Sequence, residues 1–265
     1  MVLRERNGSK EERQEQIFEY ILENGSISLQ EVVRQFDCSE ATARRDLEAL
    51  EKAGKVIRTM GGGAKAAGLM AGREIPFHEK QNKLYREKER IAQLAASLVE
   101  EGDVIGLTGG TTTYLIARAL KNRRNITIVT NAVNIAMDLA ANEDIQVVLT
   151  GGILRSKNFE LCGPLAERTL EALNIHIMFM GIDGFSVEQG VSTYSELEAN
   201  TAKIMMKRTE RTIAVFDHTK SGRNSLFQVA PMSALHGIMT DEEPGEETRK
   251  RLEAEQVRVY VAKAE

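Results

Sequence analysis

Short apolar runs alternate with amphipathic segments from about residue 87 to the end of the chain, and this alternation restricts the fold more than any other feature. The runs predict seven strands, over residues 104–107, 126–129, 146–149, 176–180, 212–216, 237–239 and 257–261. Helix-like segments lie between most of them, over residues 112–120, 132–141, 165–173, 196–208 and 246–255. Strands that alternate with helices form βαβ units, so we predict an α/β domain with a Rossmann-like, mostly parallel sheet buried on both faces.

The first part of the chain has a different pattern, with three short predicted helices followed by a strand. Each helix has a start or stop signal, namely the pair Asn24-Gly25, the capping box of Ser28 and Glu31, and the cap Ser39. A strand over residues 55–58 and a glycine turn over residues 61–63 follow the third helix. Three helices with a tight turn before the third, followed by a strand, predict a winged helix-turn-helix.

These two patterns divide the 265 residues into a small domain over residues 1–64, a linker over 65–86 and an α/β domain over 87–265. No apolar run approaches the ~20 residues that span a bilayer, and the charged N-terminus does not resemble a signal peptide. We therefore expect a cytoplasmic protein with no membrane partner. The two cysteines, Cys38 and Cys162, lack metal-ligand spacing, and we expect reduced thiols, no metal and no cofactor.

Net charge does not indicate nucleic-acid binding, because the chain carries −4 and its first 65 residues contain eleven basic and twelve acidic residues. The position of particular side chains is more informative. With Ala43 and Leu47 facing inward, the third helix exposes the side chains of Glu40, Ala41, Thr42, Arg44 and Arg45. Exposed arginines near the start of such a helix suit base edges in the major groove.

Three further side chains suit the DNA backbone in this interpretation. Ser39 and Thr42 offer hydroxyls at the helix start, where phosphate oxygens bind, and Arg58 lies at the end of the wing strand. A protein-binding module is the alternative, since Arg44 or Arg45 could pair with Glu48 one turn on.

Polar residues and glycines recur where the predicted strands end, and in a parallel sheet those ends share one edge, where ligands bind. The positions concerned are Gly109, Gly110, Thr111, Thr112, Thr113, Asn131, Gly151, Gly152, Asp183, Asp217 and Lys220. Two glycines followed by three threonines at a helix start supply amides and hydroxyls that suit a phosphate. Each motif also has a purely structural interpretation, as a turn, a helix cap or a solvated lysine. Lys203, in the predicted helix over residues 196–208, is a further candidate and could equally be a surface lysine.

The segment SLQEVVRQFDCSEATARRDLEALEKAGKVIRTMGGG, residues 28–63, closely resembles the N-terminal signature of DeoR-family regulators. The resemblance implies that Thr42, Arg44 and Arg45 reach double-stranded operator DNA. Ala43 departs from the isoleucine that is frequent in the family, which trims the core slightly.

The second domain resembles the DeoR-family C-terminal domain in GGTTT (109–113), VTNAVNIA (129–136), TGG (150–152), GIDG (181–184) and FDHTKSG (216–222). The resemblance implies the fold of ribose-5-phosphate isomerase and glucosamine-6-phosphate deaminase, with a phosphorylated sugar as effector. It implies that Gly110 and the three threonines hold the phosphate while Asp183, Lys203, Asp217 and Lys220 line the remainder. Thr108 departs from the aspartate that the family often has there.

An active isomerase or deaminase fused to a helix-turn-helix is the rival function, with Asp183 and Glu198 as possible bases. The deaminases place a histidine near the first of these, and Gly184-Phe185-Ser186 follows it here. We therefore expect no catalytic residues. The resemblance to DeoR-family regulators implies a repressor whose DNA binding the effector relieves. A single recognition helix offers few base contacts, so we expect a homodimer or homotetramer.

Overall fold

The computed structural model describes residues 10–24, 26–59, 61–66 and 74–264. The chain forms two compact units, Met1–Arg73 and Glu74–Glu265. Each unit has its own apolar core, and the larger unit has one core on each face of its main sheet.

The first unit contains three helices and a small antiparallel sheet. In chain order its elements are α1 (Lys10–Asn24), β1 (Ser26–Ile27), α2 (Leu29–Gln35), α3 (Glu40–Lys52), β2 (Val56–Arg58) and β3 (Ala64–Ala66). The capping box of Ser28 and Glu31 is present, and Ser39 caps α3. Strands β2 and β3 pair as an antiparallel hairpin with β1 on the far side of β3. The predicted helices and wing strand are confirmed, whereas β1 and β3 were too short to predict; Gly25 lies outside the described residues.

The second unit alternates helices and strands as predicted and adds short elements in its loops. In chain order its elements are α4 (Phe77–Lys80), α5 (Tyr85–Ser97), β4 (Val104–Leu107), α6 (Thr111–Ala119), β5 (Ile126–Thr130), α7 (Val133–Leu139), β6 (Ile145–Leu149), β7 (Ile153–Arg155), β8 (Glu160–Cys162), α8 (Pro164–Glu171), β9 (Ile175–Gly181), β10 (Gly184–Ser186), β11 (Gly190–Thr193), α9 (Glu196–Lys207), β12 (Thr209–Val215), β13 (Phe227–Ala230), β14 (Gly237–Thr240), α10 (Glu246–Ala254) and β15 (Arg258–Val261).

The main sheet has seven strands in the order β6-β5-β4-β9-β12-β14-β15, and every neighbouring pair is parallel. Its side chains alternate between two cores, as Ile177 and Phe179 pack with α5, α6 and α7 while Met178 and Met180 pack with α8, α9 and α10. The predicted α/β fold with a sheet buried on both faces is confirmed. From β4 the chain runs to β5 on one side, while β9 lies on the other side, so the strand order reverses between β4 and β9.

Two small antiparallel sheets were not predicted, the hairpin of β7 with β8 and the sheet β10-β11-β13. Both are built from strands of three or four residues, which are too short to show a period in the sequence.

Residues 74–86, which we predicted to be linker, pack within the second unit. The Phe77 ring makes edge contacts with Tyr114 and Phe159, each at 5.6 Å between ring centres. The backbone N–H of Phe77 donates to the carbonyl of Lys157 at 2.8 Å. Residues 67–73 lie outside the described part of the chain, so the connection between the domains stays a prediction there.

Candidate functional site

Helix α3 presents a polar face because its apolar residues are taken up by the core of the first unit. Ala43 and Leu47 are fully buried, whereas Arg44 and Arg45 are exposed and Thr42 is half-buried. Arg44 pairs with Glu40 one turn back, at 2.6 Å, and not with Glu48. Within the described residues no carboxylate pairs with Arg45, so its guanidinium is available to a ligand.

The other three residues predicted to contact DNA, Ser39, Thr42 and Arg58, also make hydrogen bonds within the first unit. The Ser39 hydroxyl accepts the backbone N–H of Thr42 at 3.2 Å and lies 2.9 Å from its hydroxyl oxygen, so these two residues begin the helix. Arg58 donates to the carbonyl oxygens of Gly62 and Gly63 at 2.6 and 3.1 Å and thereby fixes the turn of the wing. Their contact with DNA stays a prediction.

Asp46 is a buried carboxylate that we did not single out from the sequence. It accepts from Arg13 Nε and from Gln14 Nε2, both at 2.8 Å, and so ties α3 to α1. Helical spacing places position 46 on the same face as Ala43, Leu47 and Leu50, so the pattern predicts its burial although the side chain is charged. The pairing sets the orientation of the helix that carries Arg44 and Arg45.

The start of α6 lies at the reversal of strand order between β4 and β9, the usual ligand position in such sheets. Gly110 precedes the helix with φ 133°, a conformation open to glycine. The N–H groups of the first turn have no partner inside the helix, because the Tyr114 N–H is the first to bond back, to the Gly110 carbonyl. Within the described residues the hydroxyls of Thr111 and Thr112 have no hydrogen-bond partner, whereas Thr113 donates to the Gly110 carbonyl at 3.0 Å.

Asp183, two residues after the end of β9, lies close to two lysines at the same edge of the main sheet. Its Oδ1 lies 3.6 Å from Lys80 Nζ and 4.0 Å from Lys220 Nζ, and its Oδ2 lies 3.0 Å from the Thr193 hydroxyl oxygen. Burial lowers the pKa of Lys80, but Asp183 and further carboxylates outweigh it and the pKa is raised. For Lys220 burial prevails over Asp183 and Asp217, and the pKa is lowered.

A third lysine, Lys88, stands close to these charges. Its ammonium is buried and donates to the carbonyls of Lys80 and Lys83 at 2.9 and 2.7 Å. Burial lowers its pKa to about 8, against the attraction of Asp217. Lys80 and Lys220 lie close to Asp183, and the pKa of Lys88 responds to Asp217. The charges of Glu198, Glu160 and Glu74 also act on Lys80, so this edge holds both cations and carboxylates.

A second cluster of buried charges adjoins this edge and is centred on Arg155, from the β7–β8 hairpin. Arg155 Nη2 lies 2.7 Å from Glu74, and Nη1 contacts Glu198 and Glu160. Burial and the charge of Glu198 raise the pKa of Glu160 well above its ordinary value. Burial opposes ionisation of Glu198, but hydrogen bonds from Glu160 and Thr193 and the charge of Arg155 lower its pKa.

We call the edge of the main sheet at which β4 and β9 end the ligand edge. Some of the remaining predicted residues support the structure, and others lie at the ligand edge. The Asn131 amide accepts the Gly109 N–H at 3.2 Å and donates to the Leu161 carbonyl at 3.3 Å, so it shapes the loop before α6. Gly152 lies against the backbone of Cys162, and Gly151 has φ 73°, so both turn the chain into β7. Asp217 caps the 3₁₀ turn that carries Lys220.

Lys203 is not brought to this edge. It lies on the exposed side of α9, while Glu198, Thr201 and Ala202 occupy the buried side. The cation that joins Lys220 at Asp183 is Lys80, which we had placed in the linker. No periodic pattern surrounds Lys80, because α4 is a single turn, so its position could not be predicted from local spacing.

Family models match both parts of the chain. The DeoR-like helix-turn-helix domain matches residues 13–67, and the DeoR C terminal sensor domain matches residues 83–242. The chain belongs to the DeoR family. Its relatives include the uncharacterized HTH-type transcriptional regulator YulB of Bacillus subtilis, which is 36% identical over 94% of this chain and 95% of its own length.

Two other DeoR-like relatives have more descriptive names. The HTH-type transcriptional regulator GlpR of Haloferax volcanii is 33% identical over 94% of this chain and 96% of its own length. The glycerol-3-phosphate regulon repressor of Escherichia coli K12 is 30% identical over 88% of this chain and 91% of its own length.

Similarity of the DeoR-family chain to solved structures is more distant. Ribose 5-phosphate isomerase A of Methanocaldococcus jannaschii aligns with a TM-score of 0.40 and 21% identity over 52% of this chain and 55% of that one. The Pyrococcus horikoshii translation initiation factor eIF-2B aligns with a TM-score of 0.41 and 13% identity over 89% and 90%. Among the described residues, no helix combines the length and apolar character that crossing a bilayer requires.

Thr108, which departs from the DeoR-family aspartate, has a structural role in this chain. Its hydroxyl accepts the backbone N–H of Gly181 at 2.9 Å. That bond joins the ends of β4 and β9 at the reversal of strand order. Thr108 therefore holds the ends of β4 and β9 together at the edge of the sheet where the ligand is expected.

His218 lies after β12 and is held by Asp241, the residue that directly follows β14 in this DeoR-family chain. Its Nδ1 is 2.7 Å from Asp241 Oδ2, and its backbone N–H donates to Asp241 Oδ1 at 2.7 Å. The ring is thus directed to the β14 side and not towards Asp183. Burial lowers the pKa of the imidazole, but the hydrogen bond and charge of Asp241 outweigh it and the pKa is raised.

The raised pKa of His218 predicts a pH-dependent contribution to stability. A group with a raised folded pKa stabilises fully below its unfolded value of 6.5, and the contribution is lost as the pH rises through the folded pKa. The wild type should therefore exceed His218→Gln in free energy of unfolding by more at pH 6 than at pH 9. Urea denaturation at both pH values checks this, with the exposed His78→Gln as control. A difference that does not vary with pH would contradict the proposed protonation.

Proposed function

We propose that this chain is a cytoplasmic, DNA-binding repressor of a carbohydrate operon that responds to a phosphorylated sugar. Membership of the DeoR family and the exposed start of α3 support the DNA-binding part. The names of relatives, which include a glycerol-3-phosphate regulon repressor, support a phosphorylated effector and repression. Homodimers or homotetramers would place pairs of recognition helices on repeated half-sites.

The observation that carries the effector proposal is the start of α6, where unpaired amides and the hydroxyls of Thr111 and Thr112 meet at the reversal of strand order. Helix starts of this kind bind phosphate because amide hydrogens and the helix dipole both favour negative charge. The ammonium groups of Lys80 and Lys220 beside Asp183 can pair with a phosphate and add to this preference. Lys80 and Lys220 then line the remainder of the site together with Asp183 and Asp217.

The arrangement of carboxylates favours a sensor over an isomerase. A general base at neutral pH needs a free oxygen and a pKa near 7. Glu198 is occupied by Arg155, Thr193 and Asn158 and its pKa is lowered. Asp183 is likewise engaged by two lysines and a threonine, so neither carboxylate is poised to abstract a proton from a sugar.

Fluorescence anisotropy of the protein on DNA from its own upstream region tests the whole proposal. The titrations are made with and without glycerol 3-phosphate, hexose phosphates and pentose phosphates, and with the free sugars as controls. We expect one phosphate ester to weaken DNA binding while its free sugar does not. No binding to DNA at low salt by folded protein would contradict the proposal, and turnover of the same phosphates would favour the isomerase alternative.

Arg45→Ala should weaken operator binding by roughly 1–3 kcal/mol, since an arginine that reads a guanine is worth about that much. The matched control is Arg118→Ala, which also removes an exposed arginine from a helix. Anisotropy titrations at several salt concentrations measure both effects. The logarithm of affinity should fall with the logarithm of salt by about 0.9 per phosphate contacted. Equal affinities for Arg45→Ala and Arg118→Ala would place the DNA contact elsewhere.

A further inference from the structure

The first residues of the second unit, 74–83, form a segment that reaches the ligand edge, and we call this segment the strap. The unit begins at Glu74, so the chain passes from the first unit into the strap. The strap contains the single turn α4 and ends before Leu84, whose φ of 49° lies in the left-handed region that residues other than glycine rarely adopt. Helix α5 begins at the next residue and is anchored in the core through Ile91. The strap is therefore a short segment between a sharp change of backbone direction and the connection to the first unit.

The N-terminal half of the strap is bonded to the β7–β8 hairpin. Glu74 accepts from Arg155 Nη2 at 2.7 Å and from Asn158 Nδ2 at 2.9 Å. The backbone N–H of Phe77 donates to the Lys157 carbonyl at 2.8 Å. Phe77, at 4% exposed, is the most deeply buried residue of the strap, all of which the structure describes. An element held by one apolar ring and a few polar bonds can open at a low cost in free energy.

The C-terminal half of the strap carries a positive charge to the ligand edge. Lys80 Nζ lies 3.6 Å from Asp183 Oδ1, and the Lys80 side chain is 14% exposed. The buried ammonium of Lys88, on α5, donates to the carbonyls of Lys80 and Lys83 and so holds this half in place. Lys80 thus belongs both to the strap and to the ligand edge.

A second route joins the strap to the loop before α6 through the β7–β8 hairpin. Arg155 lies 2.7 Å from Glu74 of the strap and 3.4 Å from Glu160 on β8. Glu160 in turn lies so close to Gly109 that a Cβ added there would be 2.3 Å from its side chain. A change at the start of α6 therefore acts on the contacts of the strap as well as on Lys80.

We propose that the strap is the regulatory element of this chain, and that an anion at the ligand edge fixes the strap by pairing with the ammonium of Lys80. This inference rests on the proposed function, since Lys80 meets a phosphate only if the effector binds at this edge. A ligand that contacts Lys80 binds the docked strap more tightly than the undocked one, so ligand binding and docking favour each other. The point at which the first unit is attached then changes with occupancy, and the affinity for DNA changes with it.

Hydrogen–deuterium exchange of the full-length protein, measured by mass spectrometry without DNA, tests this proposal. Inorganic phosphate is the probe, because every phosphorylated sugar presents that group, and potassium chloride of equal ionic strength is the control. Phosphate should slow exchange over residues 109–114, and it should slow exchange of the strap by about 10-fold, within the usual range of coupling between sites. Chloride should slow neither segment.

The two segments separate failure of the strap from failure of the proposed function. Protection of residues 109–114 without protection of the strap would overturn the strap as the regulatory element and leave the phosphate site intact. If phosphate protects neither segment, the phosphate site of the proposed function is wrong and the strap has no ligand to respond to.

Phe77→Ala loosens the strap without changing a charge at the ligand edge. The strap should exchange faster, and half-maximal protection of residues 109–114 should need at least about 5-fold more phosphate than in the wild type. In the anisotropy titrations each phosphate ester that releases the wild type from DNA should be needed at a similarly higher concentration, while DNA binding without ester is retained.

Leu252→Ala is the matched control for Phe77→Ala, because it also removes a buried apolar side chain, from α10 and outside the strap. It should leave both the exchange of the strap and the response to phosphate as in the wild type, and circular dichroism verifies that both variants are folded. Equal responses of Phe77→Ala and Leu252→Ala would show that the strap does not regulate the chain.

Discussion

Replacing Arg155 by methionine is expected to lower the free energy of unfolding by about 3–5 kcal/mol, the cost of leaving buried charges without their partner. Glu74 and Glu198 both rely on this guanidinium, and Glu198 is buried. Methionine keeps much of the side-chain volume, so the loss reports on charge and not on packing. Chemical denaturation of the wild type and the variant measures the difference.

The expected loss depends on pH in a definite direction. Glu198 has a lowered folded pKa, so its contribution is fully present above the ordinary value of 4.5 and is lost as the pH falls below it. The difference between wild type and Arg155→Met should therefore be full at pH 7 and shrink below about pH 4.5. Adding Glu198→Gln to the variant should recover part of the stability.

Arg124→Met is the matched control for Arg155→Met. Arg124 is 81% exposed and its pairing with Asp144 lies at the surface, so the expected change is within about 0.5 kcal/mol. If Arg155→Met unfolds at the same denaturant concentration as Arg124→Met, the buried cluster does not depend on Arg155.

Gly109→Ala is expected to reduce effector affinity by on the order of 100-fold while the affinity for DNA without effector is unchanged. The added Cβ would lie 2.3 Å from atoms of the Glu160 side chain, which is buried and hydrogen-bonded to Glu198. Since Glu160 cannot move aside freely, the loop before α6 must shift and its amides no longer converge. Calorimetric titration with the effective phosphate measures the loss.

Gly245→Ala is the control for Gly109→Ala. Nothing lies within 4 Å of a Cβ built at Gly245, and its φ of −54° is open to any residue. Effector affinity should equal that of the wild type. If Gly109→Ala also keeps wild-type affinity, the phosphate is held elsewhere; if it loses both effector and DNA binding, the chain is misfolded.

Most of the large elements could be predicted from the sequence because they repeat a pattern many times. Buried parallel strands such as β4 and β9 show as continuous apolar runs, and helices such as α9 show apolar residues at helical spacing. The starts of α2 and α3 could be predicted as well, since a cap is a contact between residues three positions apart.

The candidate site was predictable only in the part that lies next to a strand end. Gly109 to Thr113, Asp183 and Lys220 lie in the segments that follow β4, β9 and β12, and the rule for parallel sheets places them at one edge. Lys80 and Glu160 come from a single turn of helix and a three-residue strand. Neither has a local pattern, and their partners lie far away in the chain.

Local patterns were enough to predict two domains, the helix that exposes Arg45, and the glycine and threonine loop that opens α6. The three-dimensional arrangement was needed to show that Lys80 lies beside Asp183, that Arg155 pairs with distant carboxylates, and that Arg13 is the partner of Asp46. Burial and the pairing of charges depend on which distant segments meet, and the free energy of a charge in the interior is set by those neighbours. That information is absent from local spacing.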